Sequence, residues 1–236
     1  MRTELPKDRR SRRTLISPGA DALTCNNVAI YGVRGAFEPF DEALGGMGST
    51  LFGIAERTAS LLAAGGPPLE LELVGVAYPA NAWLYLWSRF VGARNLARLL
   101  ADDLVRRPDR RIVLIGLSQG ADVIRHALVT LPTDTARRIS AVVLLGDPTR
   151  HPRDPWNHGT IDPHPGVAVR YAAPIPEQLI TSCWGYALDG DEIAANHKGL
   201  RGLVRSGTHT LYEHNHERVQ DQSASFISEA LLEDWP

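Results

Sequence analysis

The chain has 236 residues, 44% of them hydrophobic and 22% charged, with a formal net charge of −2. That composition suits one large α/β domain, offers no basic field for nucleic acid, and contains no apolar stretch near the roughly 20 residues of a membrane span. Two cysteines, Cys25 and Cys183, could pair at most once, so no disulfide framework is expected and synthesis in a reducing compartment fits.

The first thirteen residues include Arg2, Lys7, Arg9, Arg10, Arg12 and Arg13. Such a run reads as a solvated, flexible tail over 1–20, ahead of a single domain over 21–236. No apolar core or small-residue cleavage site follows the charge, so the segment does not read as a secretory signal. Manufacture in the cytoplasm is expected, with any action at the cell envelope following release.

Val28 to Val33 reads as a short buried strand. The Gly-rich break at Gly45, Gly46 and Gly48 leads to Ser49-Thr50, an N-cap signal, and apolar residues at helical spacing continue to about Ala64. Leu69 to Ala77 alternates and then runs apolar until Pro79, which marks a second strand. A helical period returns over about Val91 to Arg107 and stops at Pro108. Arg111 to Ile115 is a third apolar run, Ile139 to Leu145 a fourth and Val167 to Ala172 a fifth. The segment 149–165, rich in Pro, His, Asp and Trp, reads as a long surface loop. A last helix is expected over Asp221 to Leu232. Strands alternating with helices predict a three-layer α/β/α sandwich around a mostly parallel sheet of about five strands.

Between the third strand and its helix stands Gly116-Leu117-Ser118-Gln119-Gly120. This is the strand–turn–helix context of the G-x-S-x-G nucleophile elbow. A sharp turn holds the serine hydroxyl clear of the sheet, small neighbours let the helix pack close, and the helix N-terminus offers backbone N–H groups to a reacting oxygen.

A serine hydroxyl needs a general base within hydrogen-bond reach. Downstream acids in loop positions are Asp147, Asp154, Asp162, Asp189 and Asp191. The histidines are His126, His151, His158, His164, His197, His209, His214 and His216. Spacing alone does not choose among them. His126 lies two helical turns past the elbow, too far to return to its own serine. Asp147 before Pro148 suits a turn. His151, His158 and His164 match no compact metal-ligand spacing.

Four segments resemble the cutinase-type serine esterases, a lidless α/β-hydrolase group, and especially their actinobacteriophage relatives, the lysin B mycolyl-arabinogalactan esterases. They are Val33-Arg34-Gly35-Ala36-Phe37-Glu38, the elbow, Cys183 through Gly190-Asp191, and His209-Thr210-Leu211-Tyr212. The resemblance implies Ser118 as nucleophile, His209 as general base, Asp191 as the group orienting it, and an oxyanion hole from the backbone N–H groups of Gln119 and Ala36. Two departures stand out. Ala36 replaces the usual Thr or Ser, and the cysteines that cutinases pair with the equivalents of Cys25 and Cys183 are missing, which argues against a secreted, disulfide-stapled enzyme.

Plainer roles remain open for several of these residues. Asp191 could cap a turn before Glu192-Ile193-Ala194, and His214 is the next choice of base. Arg34 and Glu38 read as a pair bracing their turn. Trp83, Tyr85, Trp87 and Phe90 read as core, or alternatively as an acyl-chain platform. The resemblance thus implies a serine esterase acting through an acyl-enzyme on a lipid-type ester, with a cell-envelope glycolipid as the lysin B-like substrate and no cofactor or metal. A cutinase-like esterase on short acyl or polyester substrates, or an acyltransferase on the same fold, are the alternatives.

Overall fold

The computed structural model describes residues 11–16, 26–65, 69–159, 162–196, 207–212 and 217–233. Among them are seven strands: β1 (Ser11–Ile16), β2 (Asn26–Val33), β3 (Leu69–Gly75), β4 (Arg111–Leu117), β5 (Ile139–Leu145), β6 (Asn157–Gly159) and β7 (Cys183–Ala187). They form one sheet in the order β1-β3-β2-β4-β5-β7-β6. Only β1 runs antiparallel, against β3; the other pairings are parallel. Helices α1 (Ser49–Gly65), α2 (Tyr85–Arg106), α3 (Gln119–Leu128), the short α4 (Thr133–Ala136) and α5 (Glu217–Glu233) complete the fold.

The layering follows from side-chain alternation along strands that are apolar on both faces. On one face Val28, Ile30, Val113 and Ile115 pack under α1 and α5 through Leu51, Ile54, Val219 and Ile227. On the other, Ala29, Tyr31, Ile112 and Leu114 meet α2 and α3 through Leu96, Leu100, Val123 and Ile124. Two buried cores therefore sandwich the sheet, as the alternating pattern predicted. Arg111 ties the far end of α5 down: its guanidinium donates to the carbonyls of Leu231 (2.6 Å) and Ala230 (3.0 Å), groups that a helix C-terminus leaves unpaired.

Several expectations need correction. The sheet has seven strands among the described residues rather than about five: β1 and β6 at its two edges were not expected, and β7 takes the place expected for Val167–Ala172. That stretch instead coils into a 3-10 turn at Val169–Tyr171. The N–H groups of Val169, Tyr171 and Ala172 go to carbonyls three residues back, and those of Val167 and Ala168 to the loop carbonyls of Ile193 and Pro148, so none of these five enters a sheet ladder. Residues 11–16 are not a loose tail. Arg12 pairs with Glu72 at 2.7 Å, and the Arg13 guanidinium sits 4.8 Å from the Phe52 ring centroid while bonding the Ala43 carbonyl. Arg12 and Arg13 are exposed, as the charge run suggests, and add these contacts to the backbone ladder that joins β1 to β3. Residues 1–10 and 17–20 lie outside the described residues.

The 149–165 segment is no simple surface loop: it carries β6, and Thr149, Arg150 and Trp156 within it are buried. Helix α2 starts at Tyr85, six residues before the sequence expectation, and α5 at Glu217. Thr50 spends its hydroxyl on the Tyr212 carbonyl rather than on capping α1.

Candidate active site

Leu117 ends β4 and Gln119 begins α3, so the chain reverses at one residue, Ser118, with φ 53° and ψ −120°. A non-glycine residue there costs about 1–3 kcal/mol. The flanking glycines explain why the bend closes. A Cβ on Gly120 would collide with the Val33 carbonyl, and one on Gly116 would come within 2.7 Å of Ile124 and 2.8 Å of the Ala121 nitrogen. Ser118 N–H is held by the Leu145 carbonyl at 2.8 Å.

The structure brings the three sequence-predicted residues into one chain of hydrogen bonds. His209 Nε2 lies 2.7 Å from Ser118 Oγ. His209 Nδ1 lies 2.9 Å from Asp191 Oδ1 and 3.1 Å from Oδ2. Asp191 is fully buried, and Oδ1 also accepts from the N–H groups of Ile193 (2.8 Å) and Ala194 (2.9 Å). Both readings of Asp191 therefore coexist, since one oxygen caps a turn and meets the imidazole. Burial alone would raise its carboxyl. The His209 hydrogen bond and charge, with the two backbone donors, outweigh that and hold it below the ordinary carboxylate value.

His209 begins a single turn, His209–Tyr212, whose last residue anchors it. Tyr212 is fully buried, its hydroxyl accepts the Leu188 N–H at 2.7 Å, and its ring meets the His209 imidazole edge-on at 5.8 Å. Burial pushes the Tyr212 hydroxyl well above its usual value, so it stays neutral beside Asp191. The rest of the sequence motif flagged this turn, but the tyrosine's anchoring role was not read from it. His214, the alternative base, lies outside the described residues, as do His197 and His216.

Across the site runs the loop after β2. Gly35, the residue before Ala36, is so close that a Cβ there would lie 3.6 Å from the Ser118 Cβ. Arg34 braces this loop together with Glu38, as expected of the two. Its buried guanidinium donates to the main-chain carbonyls of Glu38 (2.9 Å), Val76 (3.2 Å) and Tyr78 (2.6 Å), while the Glu38 carboxylate accepts the Gly35 N–H. Phe37 and Ala80, joined by an N–H to carbonyl bond of 2.7 Å, are with Ser118 the non-glycine residues of positive φ among those described. Backbone strain is thus concentrated around this one region. Gln119, on the other side of Ser118, is buried; its side chain bonds Ser88 Oγ at 3.2 Å and the carbonyls of Asn81 (3.3 Å) and Tyr85 (3.4 Å).

The segment that Gln119 holds carries the aromatic cluster, and core packing fails for most of it. Trp83 is 87% exposed, Phe90 63% and Trp87 49%, with Leu84 and Leu86 beside them. Only Tyr85 turns inward, donating to Asp122 at 2.6 Å. Phe37, 64% exposed, adds to the apolar surface.

The other sequence candidates stand elsewhere. Asp147 accepts from Thr149 N–H (2.7 Å) and Oγ1 (2.6 Å) and from Arg125 (3.0 Å), a turn role as expected. His126 bonds Asp122 on its own helix. His164 pairs with Asp162, His158 stacks on Trp184, and Asp154 binds Arg125. Among the described residues, no three His, Cys, Asp or Glu side chains are grouped to hold a metal ion. Cys183 is a buried free thiol whose burial pushes it away from the thiolate.

A family model described as "Cutinase" matches residues 24–231 of this chain. The cutinase of Botryotinia fuckeliana is 30% identical over 129 residues, covering 54% of this chain and 60% of that protein. A cutinase of Hypocrea jecorina is 32% identical over 146 residues, 57% of this chain and 56% of that protein. The chain therefore spans a little over half the length of these curated relatives. Among solved structures, a cutinase-like protein from Cryptococcus sp. superposes with a TM-score of 0.72 at 19% identity, covering 90% of this chain and 98% of that one. An acetyl xylan esterase structure gives 0.67 at 19%, covering 88% of this chain and all of that one. These likenesses show the fold, a cutinase-like α/β-hydrolase. With the match of the family model over most of its length, the chain belongs to the cutinase family.

Proposed function

We propose that this chain is a serine esterase that cleaves a carboxylic ester through an acyl-enzyme. The observation that carries the reading is the unbroken run from Ser118 Oγ to His209 to Asp191, with contacts of 2.7 and 2.9 Å. Ser118 Oγ attacks the ester carbonyl carbon as His209 Nε2 takes its proton. Asp191 keeps the other nitrogen protonated and stabilises the imidazolium without taking the proton. The tetrahedral oxyanion is held by the backbone N–H groups of Gln119 and Ala36; one such donor is worth about 10²- to 10³-fold in rate. Collapse expels the alcohol, which receives the proton from His209. Water then attacks the acyl-enzyme by the same steps in reverse. As written, the reaction uses no metal or cofactor.

The exposed Trp83, Trp87, Phe90 and Phe37 support an apolar acyl group as the substrate's recognised part. Motif resemblance to the lysin B enzymes supports the finer reading, a mycolyl ester of arabinogalactan in a cell envelope. The curated relatives are cutinases, which favours a smaller acyl or polyester substrate as the second reading.

A chain-length series of nitrophenyl esters, set beside mycolate release from purified cell wall, tests both. Wild type hydrolyses the esters, and Ser118→Ala and His209→Ala each lose at least about 10³-fold, because triad members act as a unit. Undiminished turnover by Ser118→Ala rejects the mechanism. Cleavage of nitrophenyl esters without mycolate release rejects the lysin B-like substrate and keeps the esterase. Transfer of the acyl group to an added alcohol in preference to water would make it an acyltransferase.

A further inference from the structure

We infer that Arg150 is a positioning residue for this reaction: it holds the turn that carries Asp191, and so keeps that carboxylate against His209. The inference rests on the triad reading above and assigns the 149–165 segment a role in it.

Arg150 is 5% exposed, so its guanidinium is desolvated and must be satisfied by protein groups. Its partners among the described residues are three main-chain carbonyls: His164 at 3.0 Å, Asp162 at 3.1 Å and Ala194 at 3.4 Å. Ala194 belongs to the turn whose N–H groups grip Asp191. One planar side chain thus bridges the loop after β5 to the turn after β7. Main-chain bonds run alongside it. Gly166 N–H reaches the Arg150 carbonyl (2.9 Å), Val167 N–H the Ile193 carbonyl (2.9 Å), Asn196 N–H the Pro165 carbonyl (2.9 Å) and Ala168 N–H the Pro148 carbonyl (2.8 Å). The strands of this strap lie so close that a Cβ on Gly166 would collide with Pro148.

The other end of the strap is fastened to the elbow helix. Arg125 of α3 donates to Asp147 at 3.0 Å and to the Ala173 carbonyl at 2.8 Å, and its guanidinium carbon lies 5.6 Å from the Trp156 ring centroid. With the Arg150 N–H on the Asp147 carbonyl (3.1 Å), the contacts form a closed circuit: Ser118 and α3, Arg125, Asp147, Arg150, Ala194, Asp191, His209, and Ser118 again. Two buried arginines fix the distance between the helix behind the nucleophile and the turn behind the acid. A guanidinium suits this place because its fork of fixed donors can reach several carbonyls at once; a lysine offers a single compact charge.

The test uses the second-order rate of labelling by a fluorophosphonate, which reports Ser118 reactivity without a known substrate, together with kcat and KM on a nitrophenyl ester. Arg150→Met is expected to lower labelling and kcat about 10²-fold, the cost of a misplaced catalytic group, with KM changed less than threefold. Arg150→Lys should recover part of the loss. In an Asp191→Asn background Arg150→Met should cost less than about threefold, because its effect passes through that carboxylate. An equal loss in both backgrounds overturns the proposal, as does wild-type labelling and kcat in Arg150→Met. If Arg150→Met does not fold, Arg150→Lys read in the same two backgrounds decides by the same criterion. Failure of the wild type itself to label would reject the triad reading rather than this one.

Discussion

Asp191 Oδ1 receives three donors, the His209 imidazole and two turn N–H groups, and the carboxylate itself is fully buried. That crowding has a pH consequence. The folded carboxyl lies below its unfolded value of about 3.9, so its contribution to stability is fully present above that pH and is lost as pH falls through the folded value. Chemical denaturation of wild type and Asp191→Asn across pH 7 to 2 checks this. The stability gap between them should be widest at neutral pH and shrink below about pH 4; a gap that widens on acidification contradicts the assignment. The geometry also explains why the residue was readable two ways from sequence. Capping and orientation ask for the same atom type in the same place, so the choice between them was never a real one.

At the scale of elements, the segment leading into α2 is the most unusual. A helix start would normally bury Trp83, Trp87 and Phe90, yet the inward side of this segment is spent on Tyr85 bonding Asp122 and on Ser88 bonding Gln119. The aromatics are left outward on a segment pinned to the residue after Ser118. Trp87→Ser with Phe90→Ser should raise KM about tenfold or more for long-chain nitrophenyl esters and change the acetate ester less than twofold, since a buried aromatic contact is worth about 1.5–3 kcal/mol. Equal effects on both chain lengths would remove the shelf from substrate recognition.

Elements were legible in the sequence where one force dominated. The apolar runs of β2, β4 and β5 and the strained Gly-flanked elbow follow directly from burial and turn chemistry. β7 was hidden because it is only five residues long, with a glycine at its centre between Trp184 and Tyr186, and the close approach of Trp156 to Gly185 has no local signature. Val167–Ala172 looked more strand-like than it is because apolar content says nothing of where the N–H groups go. Arg12 and Arg13 are exposed as read, but the strand they belong to was missed because their partners, Glu72 and Phe52, lie far along the chain. The triad came from motif resemblance, while Arg150 stayed invisible since its partners are backbone carbonyls brought together only by the fold.

Over the whole molecule, the site is an assembly of distant pieces: the end of β4, a turn after β7, and the His209 turn locked by Thr50 and Tyr212. Hydrophobic cores on both sheet faces and buried ion pairs hold these pieces. One such group joins Arg110 to Asp103 at 2.7 Å, with Glu72 beside them. Cys183 takes no part, being a buried free thiol. Esterase activity and melting temperature should therefore be unchanged by a millimolar reductant; loss of either would reveal a disulfide on which the fold depends.

The most direct measurement is covalent labelling of the folded protein with a fluorophosphonate, followed by intact mass and peptide mapping. One adduct is predicted, on Ser118, absent from Ser118→Ala and slowed strongly in His209→Ala. A folded wild-type protein that takes no label, or takes it on another residue, would contradict the account.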